Sequence, residues 1–106
     1  RPLAAYFVAL AYLRGTIVAR DTATANNWFK VSAQYGYSAG QVMWARALIK
    51  GDGIEIDRNA AHSWLSLAAK SNNSVARTEL DALEKSMIPE QLNAARLAPA
   101  PTVGLP

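Results

Sequence analysis

Sliding the chain by 36 positions lays residues 4 to 36 onto residues 40 to 72 without a gap. This internal repeat constrains the fold more than any other feature of the sequence. Ala9 meets Ala45, Ala11 meets Ala47, Gly15 meets Gly51, Asp21 meets Asp57, Ala25 meets Ala61, Trp28 meets Trp64 and Ala33 meets Ala69. Conservative pairs fill the gaps, among them Leu13 with Ile49, Arg14 with Lys50, Val18 with Ile54 and Phe29 with Leu65. A chain that repeats at this period builds one supersecondary unit several times, and each unit buries its apolar face on its neighbour.

The unit reads as two helices. Ala5, Val8, Ala9 and Tyr12 recur at helical spacing, as do Gln41, Trp44, Ala45 and Leu48. Both runs stop at a glycine, Gly15 or Gly51, a helix-ending signal. Asp21 and Asp57 then precede a second periodic run: Ala25, Trp28, Phe29 and Ser32, or Ala61, Trp64, Leu65 and Ala68. A carboxylate before the first turn accepts backbone N–H groups, so both aspartates are expected to be N-caps. Alanine at inter-helix positions lets backbones approach closely, and the tryptophans, Trp44 included, are expected to fill the space beside them as core.

A third, incomplete copy follows. Residues 74 to 87 keep Ala76 and Leu80, but Asp81 stands where Ala9 and Ala45 stood, so close packing on that side has been abandoned. Pro89 opens a last helix, with proline at a favoured first position and Glu90 near the positive end of the helix dipole. This helix lacks the tryptophan and is expected to cap the stack. The organisation expected is one domain over residues 1–98, with repeats 4–39 and 40–75 and a partial repeat plus cap at 76–98. A Pro- and Ala-rich tail, residues 99–106, is expected to be flexible.

Gly51-Asp52-Gly53-Ile54, Asp57, Ala61, Trp64, Ala68 and Ala69 stand in the order of a known repeat, and the chain resembles the Sel-1-like repeat family, short relatives of tetratricopeptide repeats. The first copy departs from the pattern at Thr16, Ile17 and Ser32. The resemblance spans roughly residues 4 to 98. It implies an all-α fold, an α-α superhelix or TPR-like right-handed solenoid of stacked antiparallel helix pairs with a C-terminal capping helix. It also implies a non-enzymatic adaptor or scaffold, in bacteria often in envelope, signalling or secretion contexts. An alternative stays open, a regulatory repeat segment of a larger bacterial envelope or signalling protein whose catalytic domain lies outside this chain.

The resemblance further implies that the first helix of each pair lines the concave surface. The residues then facing the groove are Tyr6, Leu10, Leu13 and Arg14, next Val42, Arg46, Ile49 and Lys50, next Thr78, Ala82 and Lys85. Apolar positions with a basic edge suit a protein or peptide segment with apolar anchors and acidic flanks; the same cations also fit a merely solvated face. Tyr35 and Tyr37, at the turn between repeats, are further candidate anchors. The first helix is apolar on more than one side (Leu3, Phe7, Val8, Leu10), so upstream repeats or another subunit are expected to cover it.

The cluster GDGIEIDRNAAHSW at 51–64 invites a chemical reading, which the repeat register removes. Counting an EF-hand from Asp52 places Ile54, Ile56 and Ser63 at positions that require oxygen ligands or a terminal glutamate, so no calcium loop is spelled. His62 is the only histidine, aligns with Asn26, and is expected to lie exposed at a helix edge. Asp57, His62 and Ser66 are strung along one helix, where their side chains cannot converge as a triad with an oxyanion hole. No catalytic residue, cofactor site or metal site is assigned.

The 106 residues, 51% hydrophobic and 18% charged, suffice for one domain. No apolar run approaches the roughly 20 residues that span a bilayer. The net charge of +3 is spread without a dense basic run, which leaves no nucleic-acid signature. The absence of cysteine excludes disulfides and fits a reducing compartment and a periplasm alike. The chain opens at Arg1 rather than methionine, as a processed chain or a piece of a longer one would.

Overall fold

A computed structural model describes residues 2–104. Among them the chain forms helices α1 (Pro2–Arg14), α2 (Thr22–Gln34), α3 (Ser38–Lys50), α4 (Arg58–Lys70), α5 (Ser74–Lys85) and α6 (Pro89–Leu97), and no strand. The helices pair in chain order, α1 with α2 and α3 with α4, while α2 also packs on α3, and α4 on both α5 and α6. The result is a two-layer stack, α1, α3 and α5 in one layer and α2, α4 and α6 in the other, elongated to 43 × 27 × 23 Å.

The repeat is reproduced down to single hydrogen bonds. Gly15 N–H donates to Ala11 O at 2.9 Å and Gly51 N–H to Ala47 O at 2.8 Å. Both glycines hold a left-handed φ, 68° and 73°, that ends the first helix of each unit at little steric cost. Nine residues back across each loop, Asp21 N–H reaches Tyr12 O and Asp57 N–H reaches Leu48 O, both at 2.9 Å. The side chain of Asp21 then accepts from Thr24 N–H and that of Asp57 from Ala60 N–H, so both aspartates are N-caps. The third copy uses Asn73, whose Oδ1 accepts from Ala76 N–H at 2.9 Å.

Ala9, Ala25, Ala33, Ala45, Ala61, Ala68 and Ala76 are wholly buried, and Phe29, Leu65, Trp64 and Trp44 pack among them. Small residues at the crossings let the helix axes close in, and the large ones fill what remains. Gly40 lets α3 come close to α2: a Cβ there would lie 2.2 Å from Ser32 Oγ and 2.7 Å from Ser32 Cβ. Asp81 is exposed, as expected where α5 gives up the close packing that Ala9 and Ala45 make.

Two side chains depart from the sequence reading. Trp28, expected in the core with Trp64, is 38% exposed, whereas Trp64 is 7% exposed. The positions match in sequence but not in surroundings, since α2 packs mainly on α1 and α3 while α4 carries α3, α5 and α6. His62, expected at an exposed edge, is buried at 5% because α5 lies over it and places Glu84 against its ring.

The tail beyond α6 turns back along the second layer. Gly104 N–H donates to Gln34 O, at the end of α2, at 2.8 Å.

Candidate partner-binding face

The layer of α1, α3 and α5 gathers most of the residues singled out in the sequence. Tyr6, on α1, is half-buried, with its ring edge-on to Phe29 and Tyr37 at centroid distances of 5.8 and 5.1 Å. Tyr37 is thus part of an aromatic cluster, while Tyr35 is 38% exposed. On α3, Met43, Arg46 and Lys50 follow one another at helical spacing along one face.

Three depressions sit along this layer. Tyr6, Ala39, Val42, Met43 and Arg46 wall the first, about 210 Å³, with Asn73 and Val75 across from them. The second, about 190 Å³, lies between α1 and α3 and is lined by Leu13, Arg20, Phe29, Met43, Arg46 and Lys50, among others. The third, about 510 Å³, runs between α3 and α5 with Ile49, Glu79, Ala82 and Leu83 on its walls. Arg46 and Met43 form the partition between the first two. Of the groove residues read from the sequence, Tyr6 and Val42 meet in the first depression, Leu13 and Lys50 in the second, Ile49 and Ala82 in the third. Arg46 belongs to two. Val42 is 3% exposed and packs with the core, so it forms floor rather than rim. Leu10 is half-buried on α1, and Arg14, Thr78 and Lys85 are exposed and line none of the three.

Arg46 does not stand free. Its guanidinium forks onto the Glu79 carboxylate of α5, Nε donating to Oε1 at 2.8 Å and to Oε2 at 3.0 Å, while the terminal amino group also reaches Oε2. A second amino group points to Met43 Sδ at 3.3 Å. The hydrogen bond to Glu79 holds the Arg46 pKa above its ordinary value, with partial burial working against it. The pair ties α3 to α5 and cancels the charge at the centre of the face. The positive character is left to exposed Arg14, Arg20 and Lys85 and to Lys50, whose Nζ is 3.9 Å from Asp52. Glu79, Met43, Arg20 and Val75 were missed from sequence. No local pattern marks Glu79, because its meeting with Arg46 depends on how α5 lies against α3.

Among the described residues there is no group of His, Asp and Glu side chains that could hold a metal ion, and no helix is long and apolar enough to cross a membrane.

The model of the Sel1 repeat matches residues 2–37 and again 38–73. The chain belongs to the Sel1 repeat family. Two solved structures share its fold. One is c5321, described as a protective antigen present in uropathogenic Escherichia coli strains displaying an SLR fold, with a TM-score of 0.85 and 28% identity over 92% of this chain. The other is a Sel1 repeat protein from Oxalobacter formigenes, with a TM-score of 0.75 and 35% identity over 78% of this chain. This chain spans 21% and 24% of the lengths of those two. A comparison with curated proteins gives no match. The repeats form an all-helical solenoid of a kind that commonly serves as a protein-interaction scaffold and is generally non-catalytic.

Proposed function

We propose that this Sel1 array is a non-enzymatic scaffold that binds a protein or peptide segment along the face of α1, α3 and α5, its concave face. The observation that carries this reading is the row of apolar-walled depressions on either side of Met43 and Arg46. Apolar anchors of a partner enter beside Tyr6 and Leu13, where aromatic and aliphatic walls are already in place. Arg46, neutralised by Glu79, orients rather than attracts. Lys50, Arg14 and Arg20 supply the field that favours acidic flanks.

Selection from a random peptide library tests this. Enriched sequences are expected to carry an aromatic or aliphatic anchor flanked by Asp or Glu. Their binding should fall at least about tenfold with Lys50→Glu and Arg14→Glu combined, while the circular dichroism of the chain stays unchanged. Peptides without acidic residues, or binding indifferent to both reversals, would overturn the reading.

Leu3 and Phe7 on α1 are 51% and 59% exposed, and Val8 is 37% exposed. A contiguous apolar strip of this kind is an interaction surface, and we infer that a further repeat or another subunit covers it.

A further inference from the structure

The opposite layer carries a second groove, and the chain's own tail runs along its edge. The cavity, about 410 Å³, runs along the outer side of α4 (Ser63, Ser66, Leu67, Lys70) against Arg96 of α6, and Ala100 and Pro101 of the tail form part of its wall. At Ala98 the chain leaves α6 with φ −63° and ψ 146°, the dihedrals of a polyproline II helix. Pro99 and Pro101 favour that conformation, because the ring fixes φ near −65°. At the roughly 3.1 Å per residue of polyproline II, the six steps from 98 to 104 span about 19 Å at most, ending at Gly104, whose φ of 79° turns the chain out of that conformation. Two steps between neighbouring packed helices cover about 16 to 20 Å. The segment is therefore the right length to cross from α6 over α4 to α2, and it ends there: Gly104 N–H donates to Gln34 O at 2.8 Å. Gln34 closes α2, so its carbonyl is one of those a helix leaves without an internal partner.

We propose that the outer face of α4 and α6 is a docking groove for an extended, proline-containing segment, and that residues 99–104 are its resident occupant, displaceable by such a segment in trans. The tail is lightly held. Only Pro101 of residues 99–104 is half-buried, the others are exposed, and no residue beyond Ala95 belongs to the buried core. It also fills the groove incompletely, since the open volume beside Leu67 and Lys70 accepts a side chain longer than alanine. A tethered occupant competes at an effective concentration of about millimolar, so it screens the groove against weak ligands and yields to better-filling ones.

Amide NMR tests this on three chains: the natural one, full-length Gly104→Pro, and a chain ending at Ala98, which keeps the whole core. The Tyr35 amide shares a peptide unit with the Gln34 carbonyl and reports the tail's hydrogen bond directly. Gly104→Pro removes the donor. Both altered chains should shift Tyr35, Ser66, Leu67 and Lys70 in the same direction. The synthetic peptide PAPTVGLP should then return those amides of the shortened chain toward their natural positions, saturating at about millimolar concentration or below. It should bind the natural chain at least about tenfold more weakly. A peptide carrying Leu for Ala100 should bind the shortened chain more tightly than PAPTVGLP. Identical spectra of the three chains, or amides unmoved by excess peptide, would overturn the proposal.

Discussion

His62 Nε2 stands 2.7 Å from Glu84 Oε2, joining α4 to α5 across a largely buried contact. A carboxylate can only accept, so the imidazole nitrogen is the donor. The residue at the same place in the first repeat, Asn26, also reaches forward into the next unit, its Nδ2 donating to Asp52 O at 2.7 Å. One helical position thus fastens each repeat to its successor, through different chemistry each time. Glu84 also faces Arg96 of α6 at 3.9 Å, which brings the capping helix into the same contact.

This assigns His62 to stability. Replacing it with alanine should cost about 1–2 kcal/mol, less than a fully buried charged hydrogen bond because Glu84 can turn toward water. Glu84→Gln should cost less, since the amide oxygen still accepts. Urea denaturation of the two variants checks the order, and equal midpoints for wild type and His62→Ala would contradict it.

The two matched tryptophans should respond differently. Trp64, 7% exposed, should cost about 3–5 kcal/mol on truncation to alanine, enough to unfold much of a domain this small. Trp28, 38% exposed, should cost less than about 2 kcal/mol, because water already reaches part of its ring. Thermal melts of the paired variants measure the difference, and a loss as large at Trp28 would mean that its outer face is covered in solution.

Those contrasts show what the sequence could and could not convey. Gly15 with Gly51 and Asp21 with Asp57 announce turns and caps because a backbone end needs a left-handed residue or a carboxylate whatever lies around it. Alanine spacing likewise announced the helix crossings. The exposure of Trp28, the burial of His62 and the capture of Arg46 by Glu79 depend on which helix lies next door. A repeat pattern assigns the same label to positions whose neighbours differ, so it misjudges the side chains whose surroundings are set by the adjoining helix.

Gly40 should tolerate no side chain. The Cβ of alanine would meet Ser32 at 2.2 Å and the backbone nitrogen of Ala33 at 3.2 Å, so α3 must move away from α2. Overpacking of this kind costs about 1–3 kcal/mol. With Ser32 Cβ at 2.7 Å as well as its Oγ, the cost falls in the upper part of that range, above the roughly 1 kcal/mol that alanine gains over glycine in helix propensity. Gly40→Ala should therefore lower the melting temperature although it improves local helix formation. A rise would show that the two helices separate freely at this crossing.

Asp21 provides a pH signature. Hydrogen bonds from the backbone and hydroxyl of Thr24 hold its carboxyl below the ordinary value of 3.8, with partial desolvation opposing them. The folded chain therefore binds the proton less readily than the unfolded one. The ionised cap stabilises fully at pH values above the unfolded pKa, and that contribution is lost as pH falls through the depressed folded pKa. Asparagine also caps helices well, so Asp21→Asn keeps an acceptor for Thr24 N–H while removing the charge and the acceptor that takes the Thr24 hydroxyl. The wild type should be the more stable of the two at neutral pH, and its advantage should shrink below pH 3.8 and vanish at stronger acid. Urea midpoints across that range measure it. A difference that persists unchanged into strong acid would assign the stabilisation to the shape of the cap rather than to its charge.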